Sequence, residues 1–108
     1  MIFVETPAFC RWRDENLDDE EFRALQNVLI ADPHAGDVIP GARGLRKVRV
    51  ALQGRGKRGG ARVVYFWWGS EEQVYLLFAY AKNVSGDLTP RQLVRLAEAM
   101  RQEVDDNG

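Results

Sequence analysis

The chain of 108 residues reads as a single α+β domain in the order β-α-α-β-β-β-α, with helices packed against an antiparallel sheet. Three observations predict this. Helix-start signals stand at Thr6-Pro7, at Asp18 and at Thr89-Pro90. Three runs dense in β-branched and aromatic residues lie between residues 45 and 82, joined by short connections. Apolar residues recur at helical spacing after residues 18 and 89. With 45% hydrophobic and 29% charged residues the composition is that of a folded chain, and the length fits one domain spanning residues 1–108.

Taken in order, MIFVE is a short strand that stops at Thr6-Pro7, where Thr6 can cap a helix and Pro7 suits its first position. Phe9 and Trp12, three apart, face the core of that helix, which ends near Asn16. A second helix begins at Asp18, with Glu21 completing a capping box and Asp19 and Glu20 at the positive end of the helix dipole. Phe22, Leu25, Val28 and Leu29 mark its inward face, and Asp32-Pro33 ends it. Residues 32–44, rich in Gly and Pro, form a surface connection that carries an exposed His34, the only histidine.

From Leu45 to Leu52 the pattern alternates, Val48, Val50 and Leu52 on one side and Lys47 and Arg49 on the other, as in a half-buried strand. A glycine-rich loop follows, then ARVVYFWW as a central strand, a turn at 69–73, and VYLLFAYA as a strand apolar on both faces. Short connections make these three an antiparallel meander. Trp67, Trp68, Tyr65, Phe66, Tyr75 and Phe78 read as core. The last helix takes Thr89 as N-cap, Pro90 at its first position and Gln92 as the capping-box partner, with Leu93, Leu96, Ala97, Met100 and Val104 down one side.

The charge is divided sharply along the chain. Residues 43–68 hold eight bases (Arg43, Arg46, Lys47, Arg49, Arg55, Lys57, Arg58, Arg62) and no acid, although the formal net charge of the protein is -1. A concentrated positive field attracts polyanions even when the total is balanced, and nucleic acid is the first candidate. A solvated basic hairpin that resists edge aggregation would explain a few of these charges, but not so long a run without an acid. In an antiparallel meander the ends near Leu52, Arg62 and Lys82 meet at one end of the sheet. Arg62, Lys82 and the loop residues Arg55, Lys57 and Arg58 are therefore expected to converge, with Lys47 and Arg49 extending the patch. Gly54, Gly56, Gly59 and Gly60 let a backbone approach closely, arginine offers a planar fork to phosphate oxygens, and Tyr80 beside Lys82 is a surface on which a base can stack.

Other chemistries are set aside by context. Gly54, Gly56 and Gly59 match G-x-G-x-x-G but lead into a strand, whereas a dinucleotide site needs a helix N-terminus there. No P-loop ending, metal-ligand spacing or Ser/His/Asp set is recognisable, so neither a metal nor another cofactor is expected. Cys10 stands alone, without an activating base nearby, and reads as a small hydrophobe. The N-terminus lacks a basic n-region and no apolar run reaches the roughly 20 residues of a membrane span, which leads us to expect a cytoplasmic protein.

GLRKVRVA, GRGKRGGARVVYF, YLLFAYAKN and DLTPRQL together resemble the RelE/HigB superfamily of bacterial type II toxin–antitoxin toxins, closest to the HigB branch, over nearly the whole chain. The resemblance implies a RelE-like fold and a ribosome-dependent endoribonuclease that cuts mRNA in the 30S A site. In that family the ribose 2′-OH attacks the adjacent phosphate to give a 2′,3′-cyclic phosphate, with basic residues replacing the usual histidines. By position Arg62 matches the phosphate-stabilising arginine, Lys57 and Lys82 match other catalytic positions, and Arg49, Lys47 and Arg55 match substrate-binding ones. Many family members carry a tyrosine near the C-terminus, whereas the stretch from Gly86 onward here has neither Tyr nor His. Either Tyr80 or a ribosomal RNA group then substitutes, or the activity is weaker than that of the family's best members, and the general base stays open. The implied partners are the ribosome, mRNA and a cognate antitoxin, often DNA-binding and able to repress its own promoter as a complex. Two other readings stand beside this one: a toxin of the same fold that poisons gyrase, as in the related ParE group, and a nucleic-acid-binding module without catalysis.

Overall fold

The structure is a computed structural model that describes residues 1–52, 60–81 and 89–107, with side chains followed as far as residue 102. Its elements are β1 (Ile2–Glu5), α1 (Pro7–Asn16), α2 (Asp19–Ala31), β2 (Asp37–Val38), β3 (Arg46–Val50), β4 (Ala61–Trp68), a 3-10 turn (Gly69–Glu71), β5 (Gln73–Ala81) and α3 (Pro90–Asn107). They form one five-stranded sheet in the order β1-β5-β4-β3-β2. No helix among the described residues is long and apolar enough to cross a membrane.

The helix starts follow the capping chemistry of the sequence. Thr6 Oγ1 accepts the Phe9 N–H at 3.1 Å and donates to the Leu77 carbonyl at 2.6 Å, so the cap of α1 also ties that helix to β5. Asp18 and Glu21 exchange bonds of 2.9 and 2.7 Å at the start of α2. Thr89 and Gln92 do the same at α3, at 2.9 and 3.2 Å.

The meander β3-β4-β5 is antiparallel throughout. The edge strand departs from the expectation, because β1 runs parallel to β5 and the sheet is mixed. Parallel neighbours need a long crossover, and α1, α2 and the meander supply it. The second addition is β2, a two-residue strand inside the Gly/Pro-rich connection, too short to leave an alternating pattern in the sequence.

Both faces of the sheet are covered. On one, Phe9, Leu25 and Leu29 pack with Val48, Val50, Val63, Tyr65 and Leu76. On the other, Leu93 and Ala97 of α3 and Ile39, Ala42 and Leu45 of the connection pack with Val64, Leu77 and Phe78. Three residues expected inside are not enclosed: Val28 is 47% exposed, Trp68 43% and Leu96 37%. Trp68 ends β4 beyond the span of the core, and Leu96 flanks the buried stripe of α3. Val28 lines an open groove between α2 and β3.

Candidate nucleic-acid interface

Three strands place the described part of the basic block. Arg49 of β3 stands opposite Arg62 of β4, and Arg62 stands opposite Tyr80 of β5. Directly opposed residues share a face, so these three form a row across the sheet, neighbouring strands being about 4.8 Å apart. Ala61 and Val63 on either side of Arg62 are fully buried, and Val63 packs in the α1/α2-side core. Arg62 therefore projects toward the α3 side, where the apolar row Val64–Phe78 gives way to it. Lys47, opposite Val64, lies on the same face.

Tyr80 reaches this face because of a β-bulge. Val64 pairs with Phe78 but Tyr65 pairs with Leu76, which leaves Leu77 as an extra residue in β5. Leu76 faces the α1/α2 side, while Leu77, Phe78 and Tyr80 all pack on the α3 side. Strict alternation from Leu76 would have turned Tyr80 to the opposite face. The sequence stretch VYLLFAYA is apolar on both sides, so nothing in its pattern marks the bulge. Tyr80 is half-buried rather than free, with its ring 6.5 Å from that of Phe78.

The electrostatics of the row are unfavourable without a ligand. Like charges directly opposite on neighbouring strands destabilise a sheet. Arg49 and Arg62 do this with no carboxylate in ion-pair contact with either, or with Lys47, among the described residues. Arg62 Nη1 is buried and has no hydrogen-bond partner among the described residues. Leaving a buried charged donor unsatisfied costs on the order of 1–3 kcal/mol or more. A phosphate oxygen is the acceptor that meets both needs, since it answers the orphan nitrogen and separates the two guanidinium charges.

The remaining described bases of the block have structural occupations. Arg46 Nη1 donates to the carbonyls of Gly36 at 2.8 Å and His34 at 3.3 Å, and Arg43 Nη1 lies 2.7 Å from Glu98 Oε1. Of the residues singled out from the sequence, Arg49, Arg62, Tyr80 and Lys47 thus share one face. Arg55, Lys57, Arg58 and Lys82 lie outside the described residues. The segments that carry them join strand ends lying in one row, Val50–Ala61–Ala81.

Cys10 is half-buried, its thiol 3.6 Å from Glu5 Oε1. Burial, then the Glu5 carboxylate, pushes its pKa up, which keeps it a protonated thiol and not a nucleophile. His34 is exposed. Among the described residues no group of His, Cys, Asp and Glu is arranged to hold a metal ion.

Compared with known families, residues 2–106 match the model of the RelE toxin of the RelE/RelB toxin–antitoxin system.

Proposed function

Because the chain belongs to the RelE toxin family and thereby has a RelB-type antitoxin as its expected partner, we propose that it is a ribosome-dependent endoribonuclease that cleaves mRNA in the A site and so stops translation. The observation that carries this reading is the buried Nη1 of Arg62, without a hydrogen-bond partner among the described residues, in a row with Arg49 and Tyr80. A site with unmet donors and no carboxylate in ion-pair contact among the described residues is suited to an anionic linkage rather than to its own stability.

In the proposed mechanism the ribose 2′-OH attacks the adjacent phosphorus, the P–O5′ bond breaks, and a 2′,3′-cyclic phosphate and a 5′-hydroxyl are released. Arg62 lies against the non-bridging oxygens and stabilises the charge that grows on them in the phosphorane. Lys57 and Lys82 are assigned the other catalytic positions, moving a proton and neutralising charge. Lys47, Arg49, Arg55 and Arg58 hold the backbone on either side, and Tyr80 supports a base or the attacking hydroxyl. A protein acting on the translating ribosome works in the cytoplasm.

Purified protein is added to translating ribosomes and the mRNA ends are mapped. Arg62→Ala is expected to lower the cleavage rate about a hundredfold or more, the usual cost of removing one preorganised donor to a transition-state oxyanion, with the melting temperature kept. Cleavage by that variant at the parent rate would defeat the assignment. Accumulation of gyrase–DNA complexes in place of cut mRNA would move the chain to the gyrase-poisoning branch of the fold.

A further inference from the structure

Alternate residues of a strand share a face, so Phe66 and Trp68 continue along β4 the face on which Arg62 stands. Trp68 lies about 20 Å from Arg62 along the strand, at the rise of extended chain. Between the two, Leu93 and Ala97 of α3 pack with Val64 and Leu77. Past that packing an open pocket of about 580 Å³ separates the sheet from residues 98–102 of α3. Phe66, Trp68 and Tyr75 line it from the sheet, and Glu98, Arg101 and Gln102 from the helix.

The pocket joins flat apolar surface to a planar cation. Trp68 is exposed, with its ring 6.1 Å from that of Tyr75. The Arg101 guanidinium lies 5.1 Å from the centroid of the Phe66 ring, and no carboxylate among the described residues is in ion-pair contact with it. Glu98 is engaged elsewhere, its Oε1 2.7 Å from Arg43 Nη1. Gln102 adds an amide, which offers both a donor and an acceptor.

We propose that this pocket binds a nucleotide unit, its base stacked on Trp68 and its phosphate held by Arg101. A bare aromatic face recognises the π-face of any base, and a guanidinium without a counter-charge recognises phosphate. The charge argues against the rival occupants. A quaternary ammonium needs open ring faces, but Arg101 already covers that of Phe66 and repels a second cation. An apolar side chain of a protein partner fills the space and leaves Arg101 unanswered. The pocket is separate from the cation row, because one phosphodiester linkage at Arg62 does not reach across about 20 Å. It rests on this end of the sheet and not on the nuclease reading. The nucleotide is either an unpaired unit of an RNA chain or a free mononucleotide, and the chemistry recognised is the same.

Adenosine 5′-monophosphate is titrated into the full-length protein while the tryptophan indole N–H signals are followed by NMR. The Trp68 signal should move and saturate, whereas those of Trp12 and Trp67, which pack with the opposite core, should stay. Trp68→Ala should raise the Kd, read from backbone amide signals of α3, about fivefold or more, the lower end of what a stacked base is worth. Arg101→Gln should raise the Kd of the monophosphate about fivefold and that of adenosine, which lacks the phosphate, by less than about twofold. Arg62→Ala should keep the shift at Trp68. A labelled, unstructured RNA of about ten nucleotides separates the two sources. If RNA is the source, it binds more tightly than the monophosphate and weakens in Trp68→Ala; if the free nucleotide is, the RNA Kd is the same in that variant and the monophosphate alone weakens. A Trp68 signal unmoved by both probes, or parent affinity for both in Trp68→Ala, would overturn the proposal. Saturation by tetramethylammonium at a lower concentration than by the monophosphate would also overturn it, since that makes the pocket a cation cage. Absence of mRNA cleavage by the parent protein would bear on the nuclease reading alone.

Discussion

Arg46 and Arg62 sit on neighbouring strands and are put to opposite uses. Arg46, opposite Tyr65, reaches two carbonyls of the connection before β2 and is satisfied by them. Arg62, thirteen residues from Arg49 in the chain but directly opposite it in space, has a buried nitrogen with no acceptor among the described residues. One arginine fastens the fold and the other strains it. Charge counting along the chain gives both the same weight, and only an accounting of partners separates them.

The sharpest way to break this comparison is to replace each arginine by methionine, which keeps an unbranched apolar stem and removes the donors. Arg46→Met strips a charged donor from the Gly36 and His34 carbonyls and is expected to lower stability by about 1–3 kcal/mol. Arg62→Met removes an unsatisfied buried donor and a like-charge opposition, and is expected to leave stability unchanged or raised. Chemical denaturation of the two variants checks both signs. Equal losses would show that Arg62, too, is a structural residue.

Tyr65 sharpens the same contrast from the fastened side. Its hydroxyl accepts the Gly36 N–H at 3.0 Å and donates to the Pro33 carbonyl at 2.8 Å, in a side chain that is fully buried. Tyr65→Phe leaves both backbone groups unanswered and is expected to cost about 1–2 kcal/mol near neutrality. Burial raises the hydroxyl pKa, with the Gly36 bond opposing it. The sign follows directly. As pH climbs past the unfolded value of about 10, the unfolded chain loses this proton first, so the stability that the protonated hydroxyl supplies is complete below that pH and is lost above it. The difference between parent and Tyr65→Phe in denaturation midpoints should therefore shrink above pH 10.

Much of the fold was legible because short-range chemistry dictated it. Thr6-Pro7, Asp18 with Glu21 and Thr89 with Gln92 start helices where their side chains can satisfy free N–H groups, and those bonds are present. The meander followed from connection length, and it put Arg49 and Arg62 in register. What stayed hidden depends on long-range pairing. The parallel docking of β1 on β5 leaves no mark in five residues, β2 is too short to show a period, and the bulge at Leu77 that turns Tyr80 toward Arg62 lies in a stretch with no alternation to interrupt. The exposure of Val28 was hidden for the opposite reason: its periodicity is that of a core residue, and only its place on the open groove between α2 and β3 makes it different.

The smallest expected effect isolates the charge opposition itself. Arg49 is exposed and has no ion-pair partner among the described residues, so Arg49→Gln removes little besides its repulsion of Arg62. Cross-strand pairs of this kind are worth roughly 0.2–1 kcal/mol, and stability is expected to rise by that much. The gain should fade in high salt, because added ions already screen an exposed pair. Binding of a short single-stranded RNA should weaken over the same change, with its log K against log salt slope reduced by about 0.7, the contribution of one phosphate contact on a single strand. A variant that is steadier but holds RNA less well would show that the positive row is maintained against the interest of the fold. Arg49→Gln that loses stability would mean that Arg49 contributes more to the fold than its repulsion of Arg62 takes away.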